Sequence, residues 1–293
     1  MNAVLKEAHT APAWTSLHVF IHDFSRLDAF LCECLAGMPR EFLADAFFVR
    51  YWLGGPHVRI RFRNADAAPA LVAHVRAWLA RNAFASDLEP DSYYRRFASQ
   101  LHTEPRHYWH GNGELHYIPY EPEVARYGGP AGLAPCERYF VDDSNAVLAL
   151  LRGHAGAPME KILLGCCLVH YEVLAQAGLL DAYLAACHDV AGQGNLGASL
   201  RARMGAALEG AMPGLRAASA RYDGGAYFPT ALAAYRDRLQ RVCAALAGAG
   251  VPGVPAILHS LLHMSFNRAG VIPLREQSIR LFALALYEER TFA

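Results

Sequence analysis

The stretch that most limits the folds open to this chain runs from Ala46 to Arg63, where two apolar-rich runs flank Leu53-Gly54-Gly55-Pro56. Glycine and proline clustered between β-branched and aromatic runs signal a β-hairpin. The second run alternates strictly. His57, Arg59, Arg61 and Arg63 fall on one side of a strand and Val58, Ile60 and Phe62 on the other, because successive strand side chains point to opposite faces. One face must therefore meet a core. The cationic face reads either as solvated surface or as an anion-binding surface, since guanidinium forks match carboxylates bidentately.

The hairpin fits the pattern around it. Trp14–Ile21 alternates as a strand, and Asp23 or Ser25 can cap a helix through Met38 that carries Leu27, Phe30, Leu31, Cys34 and Leu35 at helical spacing. Asn64 or Asp66 caps a further helix to about Asn82, with Leu71, Val72, Val75, Trp78 and Leu79 in one stripe. Leu115–Tyr120 reads as another strand. Strand, helix, hairpin and helix in this order predict an α+β fold, with a mostly antiparallel sheet in the N-terminal half and helices on one face. Beyond Leu133 the chain reads as helical: Pro135–Arg152, Pro158–Ala177, Leu180–His188, Leu196–Leu208, Pro229–Ala247, Pro255–Asn267 and Pro273–Arg290, several opening on proline. Glycine breaks at 192–197 and 224–225 punctuate them. No repeat and no Ser/Pro-rich spacer appears, so residues 1–293 are read as one domain, sheet-rich over 13–130 and helical over 131–293.

Composition removes several function classes. With 54% hydrophobic residues the chain can bury a large core, and its formal net charge of zero argues against bulk-charge binding to nucleic acid. Arg95, Arg96, Arg106 and His107 interleave with tyrosines between Phe84 and Trp109, but the segment is short and its neighbours are acidic. The odd cysteine count, seven in irregular spacing without Cys-x-x-Cys, fits free thiols in a reducing cytoplasm. No signal peptide and no run of about 18 apolar residues is present, so the expectation is a cytoplasmic protein that neither binds nor spans a membrane.

Two further stretches carry chemistry. Tyr120 runs into Glu121-Pro122-Glu123-Val124-Ala125-Arg126-Tyr127-Gly128-Gly129-Pro130, turn chemistry carrying Glu123, Arg126 and Tyr127, which reads as a site loop or as a structural turn with an ion pair. In Pro255–Asn267, His259, His263 and Asn267 share one face at i, i+4 and i+8. Ser260 stands where the glutamate of a zinc-protease helix would be and no third ligand follows, so no metal and no cofactor is assigned. His263, flanked by Asn267 and Arg268, is the candidate acid or base.

Phe47-Phe48-Val49-Arg50-Tyr51 with His57-Val58-Arg59-Ile60-Arg61-Phe62, then Tyr120-Glu121-Pro122-Glu123-Val124-Ala125-Arg126-Tyr127-Gly128-Gly129, then Leu262-His263-Met264-Ser265-Phe266-Asn267-Arg268, resemble the C-terminal domain of class I lantibiotic dehydratases. The same domain occurs alone as the thiopeptide-type bacteriocin biosynthesis protein. The resemblance implies an enzyme that tailors a ribosomally made precursor peptide by eliminating glutamate from glutamylated Ser or Thr, leaving dehydroalanine or dehydrobutyrine. It implies that Arg59, Arg61 and Arg126 clamp glutamate carboxylates and that His263 carries the proton. Arg50, His57, Glu123, Tyr127, Asn267 and Arg268 are the expected substrate-binding residues.

Two positions depart from the pattern: Leu53-Gly54 where many members have Asp-Pro, and Ser265 where many have a second histidine. The second puts a two-histidine mechanism in doubt. The expected partners are a precursor peptide with leader and core and, for an eliminase, a separate tRNA-dependent glutamylating protein. A homodimer is compatible with this. Two other readings stay open: a freestanding pyridine synthase that joins two dehydroalanines by formal [4+2] cycloaddition, and a non-catalytic partner that holds a precursor by adding it to a sheet edge.

Overall fold

Leu17 and Val19 alternating with Ser16, His18 and Phe20 fold as strand β1 (Thr15–Phe20) in a computed structural model that describes residues 14–95, 108–153, 159–192 and 229–292. The expectations for 1–12, Arg96, Arg106, His107, Leu196–Leu208 and the glycine breaks at 193–197 and 224–225 lie outside the described residues. Asp23 is the cap: its side chain accepts from the Ser25 backbone N–H and starts α1 (Phe24–Ala29). One π turn (Phe30–Cys34) and one 3₁₀ turn (Leu35–Gly37) carry that helix on to Met38. There follow α2 (Arg40–Leu43), the hairpin strands β2 (Ala46–Tyr51) and β3 (His57–Phe62), α3 (Ala68–Arg81), α4 (Pro90–Tyr94) and β4 (Leu115–Tyr117). Pro119 has no N–H to give a ladder, which ends β4 before the Tyr120 that alternation predicts.

The four strands form an antiparallel sheet in the order β2-β3-β1-β4. Arg59 stands opposite His18 on β1 and Val49 on β2, and Arg61 opposite Ser16 and Phe47. Leu17, Val19, Val58, Ile60 and Phe62 fill the other face, where Phe62 meets Phe42 of α2 at 5.4 Å between ring centroids. Leu27, Phe30, Leu71, Val75 and Trp78 complete that core, and each such side chain stabilises the fold by about 1.5–3 kcal/mol. At the hairpin turn, Gly54 has φ 95°, its N–H donates to the Tyr94 hydroxyl oxygen at 2.8 Å, and a Cβ there would sit 2.7 Å from the Tyr108 carbonyl oxygen. Proline, held near about −65°, cannot take that conformation, so this turn differs from an Asp-Pro turn in backbone geometry.

The chain divides after Glu121 into two compact units, Met1–Glu121 and Pro122–Ala293. Pro122–Gly129, grouped by sequence with the sheet, belongs to the helical unit because Tyr127 packs edge-on against Phe140 and Gly128 lies on Val251 and Ile257. Gly128 has φ 78°, and a Cβ would meet Val251 Cγ1 at 2.2 Å, so glycine is required twice over. The helices are α5 (Pro130–Gly153), α6 (Met159–Gln176), α7 (Leu180–Gly192), α8 (Pro229–Gly248), α9 (Val254–Arg268) and α10 (Pro273–Phe292). α5 starts five residues before the predicted Pro135, because Pro130 itself occupies the first helical position, and Pro135 lies inside the helix rather than at its start. α6 buries residues on all sides, from Ile162 to Leu174, and contacts α8, α10 and α7. Among the described residues no helix is long and apolar enough to cross a membrane.

Candidate active site

In the sheet unit the arginine row is built on aromatic rings. The Arg59 guanidinium lies 3.4 Å from the Tyr51 ring centroid, Arg61 lies 4.4 Å from Tyr120 and 5.3 Å from Phe47, and Arg63 lies 4.5 Å from Trp14. A ring's negative face holds a cation without neutralising it, and stacking leaves the in-plane N–H fork for other acceptors. One such N–H is used locally: Arg59 Nε donates to His57 Nε2 at 3.2 Å, and His57 Nδ1–H donates to the Gly55 carbonyl at 2.8 Å. His57 is thereby held as a neutral tautomer, 1% exposed. Burial above all, then the neighbouring Arg59, lower its pKa to about 3. His18, stacked on it at 5.0 Å, is lowered to about 2 by burial and by His57 and Arg59. On this face the buried Ser16 Oγ and His18 Nδ1 have no hydrogen-bond partner among the described residues.

Arg50 is placed elsewhere. As the residue between Val49 and Tyr51 it faces the helical side of the sheet, where it pairs with Asp28 of α1 at 2.6 Å. Expected as a substrate-binding residue, it stands opposite Val58, and strand parity puts it on the side away from Arg59 and Arg61.

In the helical unit, Arg126 extends from its loop to α9, where Nε donates to Ser260 Oγ at 3.2 Å while Nη1 pairs with Glu123 at 3.1 Å. One turn along α9, His263 Nδ1 donates to Glu276 Oε2 of α10 at 2.7 Å. Glu276 also pairs with Arg280 one turn further on, and Arg280 Nη1 donates to His259 Nδ1 at 2.9 Å. The four form a chain, His263–Glu276–Arg280–His259, in which the two histidines have opposite roles. His259 gives its Nδ1 lone pair to a guanidinium, and burial together with Arg280 lowers its pKa to about 4. His263 has a carboxylate behind Nδ1, which fixes the tautomer that leaves the lone pair on Nε2. Burial works against the Glu276 charge, but the His263 hydrogen bond and Arg280 outweigh it and keep the carboxyl below its ordinary range. The His263 side chain is 35% exposed and Glu276 only 7%, so the imidazole is reachable and its support is dry.

Asn267 lies half-buried on the same face as His259 and His263, whereas Arg268 does not: it is wholly buried and pairs with Asp143 at 3.0 Å, which Arg238 shares at 3.5 Å. Tyr127 is 3% exposed and burial raises its pKa to about 12. Glu123 is exposed and serves Arg126. Ser265 points inward to Tyr139 at 3.2 Å, so the position of the missing second histidine is interior here. Sequence reasoning missed Glu276 and Arg280, although their i, i+4 acid-to-base spacing on a helix was readable. A cavity of about 740 Å³ between α5 and α8, lined by Arg138, Asp142, Arg238 and Arg241, contains none of the proposed catalytic residues.

A profile described as lantibiotic biosynthesis dehydratase C-term matches residues 14–287. Three solved structures share the fold. The pyridine synthase TbtD from thiomuracin biosynthesis is 17% identical with TM-score 0.72, covering 96% of this chain and 100% of that one. TsrL is 15% identical with TM-score 0.61 and 95% coverage of both chains. The tRNA-dependent lantibiotic dehydratase MibB from Microbispora sp. 107891 is 20% identical with TM-score 0.55; 99% of this chain aligns with 29% of that one. Comparison with curated proteins gave no match.

Proposed function

The chain belongs to the lantibiotic biosynthesis dehydratase C-terminal family, and from that premise we propose that it is a tailoring enzyme for a ribosomally made peptide, eliminating glutamate from glutamylated Ser or Thr. The observation that carries this is the carboxylate-backed imidazole of His263, half-exposed on α9, with the Arg126 guanidinium anchored one turn away at Ser260. In the reaction, His263 Nε2 takes the Cα proton, the electron pair forms the Cα=Cβ bond, and the Cβ–O ester bond breaks to release glutamate. Glu276 stabilises the imidazolium, and Arg126 draws the departing carboxylate. Arg59 and Arg61 are assigned to holding carboxylates or carbonyls of the peptide, as the family resemblance implies, each supported on an aromatic ring. The substrate would come from a separate tRNA-dependent glutamylating protein.

The test is mass analysis of a glutamylated model peptide after incubation with the protein. Loss of one glutamic acid per modified residue, abolished in His263→Ala, is the expected result. An unchanged peptide would overturn the assignment. So would a bis-dehydroalanine peptide cyclised with release of its leader, which would favour the fold shared with TbtD as a functional guide.

A further inference from the structure

The turn entering β4 carries a second cluster of ligating groups that the elimination chemistry does not use. His110, Glu114 and His116 have the spacing His-x₃-Glu-x-His, and their ligand atoms lie within 4.8 Å of one another. His116 Nε2 is 2.8 Å and His110 Nδ1 3.8 Å from the same oxygen, Glu114 Oε2, and the two imidazole centroids are 4.2 Å apart. Glu114 and His116 fall two residues apart on extended chain and so share a face; the Gly111–Glu114 turn brings His110 back over them.

We propose that His110, Glu114 and His116 bind a divalent transition-metal ion of the zinc class. Two imidazoles and one carboxylate are a ligand set that such ions prefer, and three protein ligands leave a fourth position open. Bonds of about 2.0–2.2 Å at tetrahedral angles require donors about 3.3 Å apart, so closing the 3.8 Å separation and opening the 2.8 Å one asks only for small side-chain rotations. The frame is already set. The His110 N–H donates to the Gly54 carbonyl, the Gly113 N–H to Phe20, the Phe20 N–H to Glu114, and Asn112 ties the turn to His22 and Phe84. The His110 ring is further wedged against Phe20 at 4.4 Å. A preorganised backbone lowers the ordering cost of binding. The described cysteines are distant in sequence and, where buried, have raised thiol pKa values, so they do not compete as soft ligands. Arg76 lines the same surface depression and opposes a cation there.

Metal-stripped full-length protein is titrated with Zn²⁺ alone by calorimetry, beside His110→Ala/His116→Ala, Glu114→Gln and Arg76→Ala. Wild type is expected to bind one equivalent and to gain thermal stability. The double variant should lose affinity by about tenfold or more, Glu114→Gln should weaken binding less, and Arg76→Ala should tighten it. Co²⁺ in place of zinc should give d–d absorption without a thiolate charge-transfer band. Binding of equal strength in the double variant and in Glu114→Gln, a thiolate band, or no saturable binding by wild type would each overturn the site. If the double variant fails to fold, Glu114→Gln and the cobalt spectrum decide alone.

Discussion

The two units hold their arginines in different ways. In the sheet unit Arg59, Arg61 and Arg63 rest on aromatic faces; in the helical unit Arg268, Arg238 and Arg280 lie against Asp143 and Glu276. A ring tolerates a cation and leaves its field intact, whereas a buried carboxylate cancels it and makes both partners interdependent. Ring stacking is therefore a mode of support different in kind from burial against a carboxylate. The interior helical arginines are structural or, through Glu276, tune a histidine.

The largest expected effect tests that tuning. His263→Ala should lower glutamate release by about 10² to 10⁴, and Glu276→Gln by roughly 10², with circular dichroism unchanged. His259→Ala should cost far less, because its Nδ1 is committed to Arg280; equal losses at 259 and 263 would break the distinction between them. Next in size, Arg268→Ala leaves Asp143 buried with only the longer Arg238 contact and should destabilise the protein by about 3 kcal/mol in urea unfolding.

Acid titration compares the units on one scale. His18, His57, the fully buried His170 of α6, whose pKa burial lowers, and His259 have folded pKa values of about 2, 3, 3 and 4, below the unfolded value of 6.5. Unfolded histidine binds more protons over that interval, so stability rises with pH there and falls as pH drops from about 6.5 toward 4, each group approaching a slope of about 1.4 kcal/mol per pH unit. Urea midpoints measured from pH 7.5 to 4.5 check this, and His57→Gln should flatten the slope by about one group. The smallest effect on stability falls on the aromatic-backed row. Arg59→Ala and Arg61→Ala should each cost only about 0.5–2 kcal/mol in folding while raising KM for a glutamylated peptide; a purely structural role would leave KM alone.

Much of this was readable before the fold. Strict alternation in His57–Phe62 requires a half-buried strand, Asp23 and Asn64 are effective caps, and the histidine spacing in Val254–Arg268 puts His259 and His263 on one face, because each follows from local backbone periodicity. What periodicity cannot supply is partnership. Arg268 and Arg126 are both arginines beside suggestive motifs, and only packing buries one on Asp143 and brings the other out to Ser260. The same holds for two histidines one turn apart: α10 presents Arg280 to His259 and Glu276 to His263, and that choice of neighbour, made by helix packing between segments distant in sequence, decides whether each Nδ1 accepts or donates.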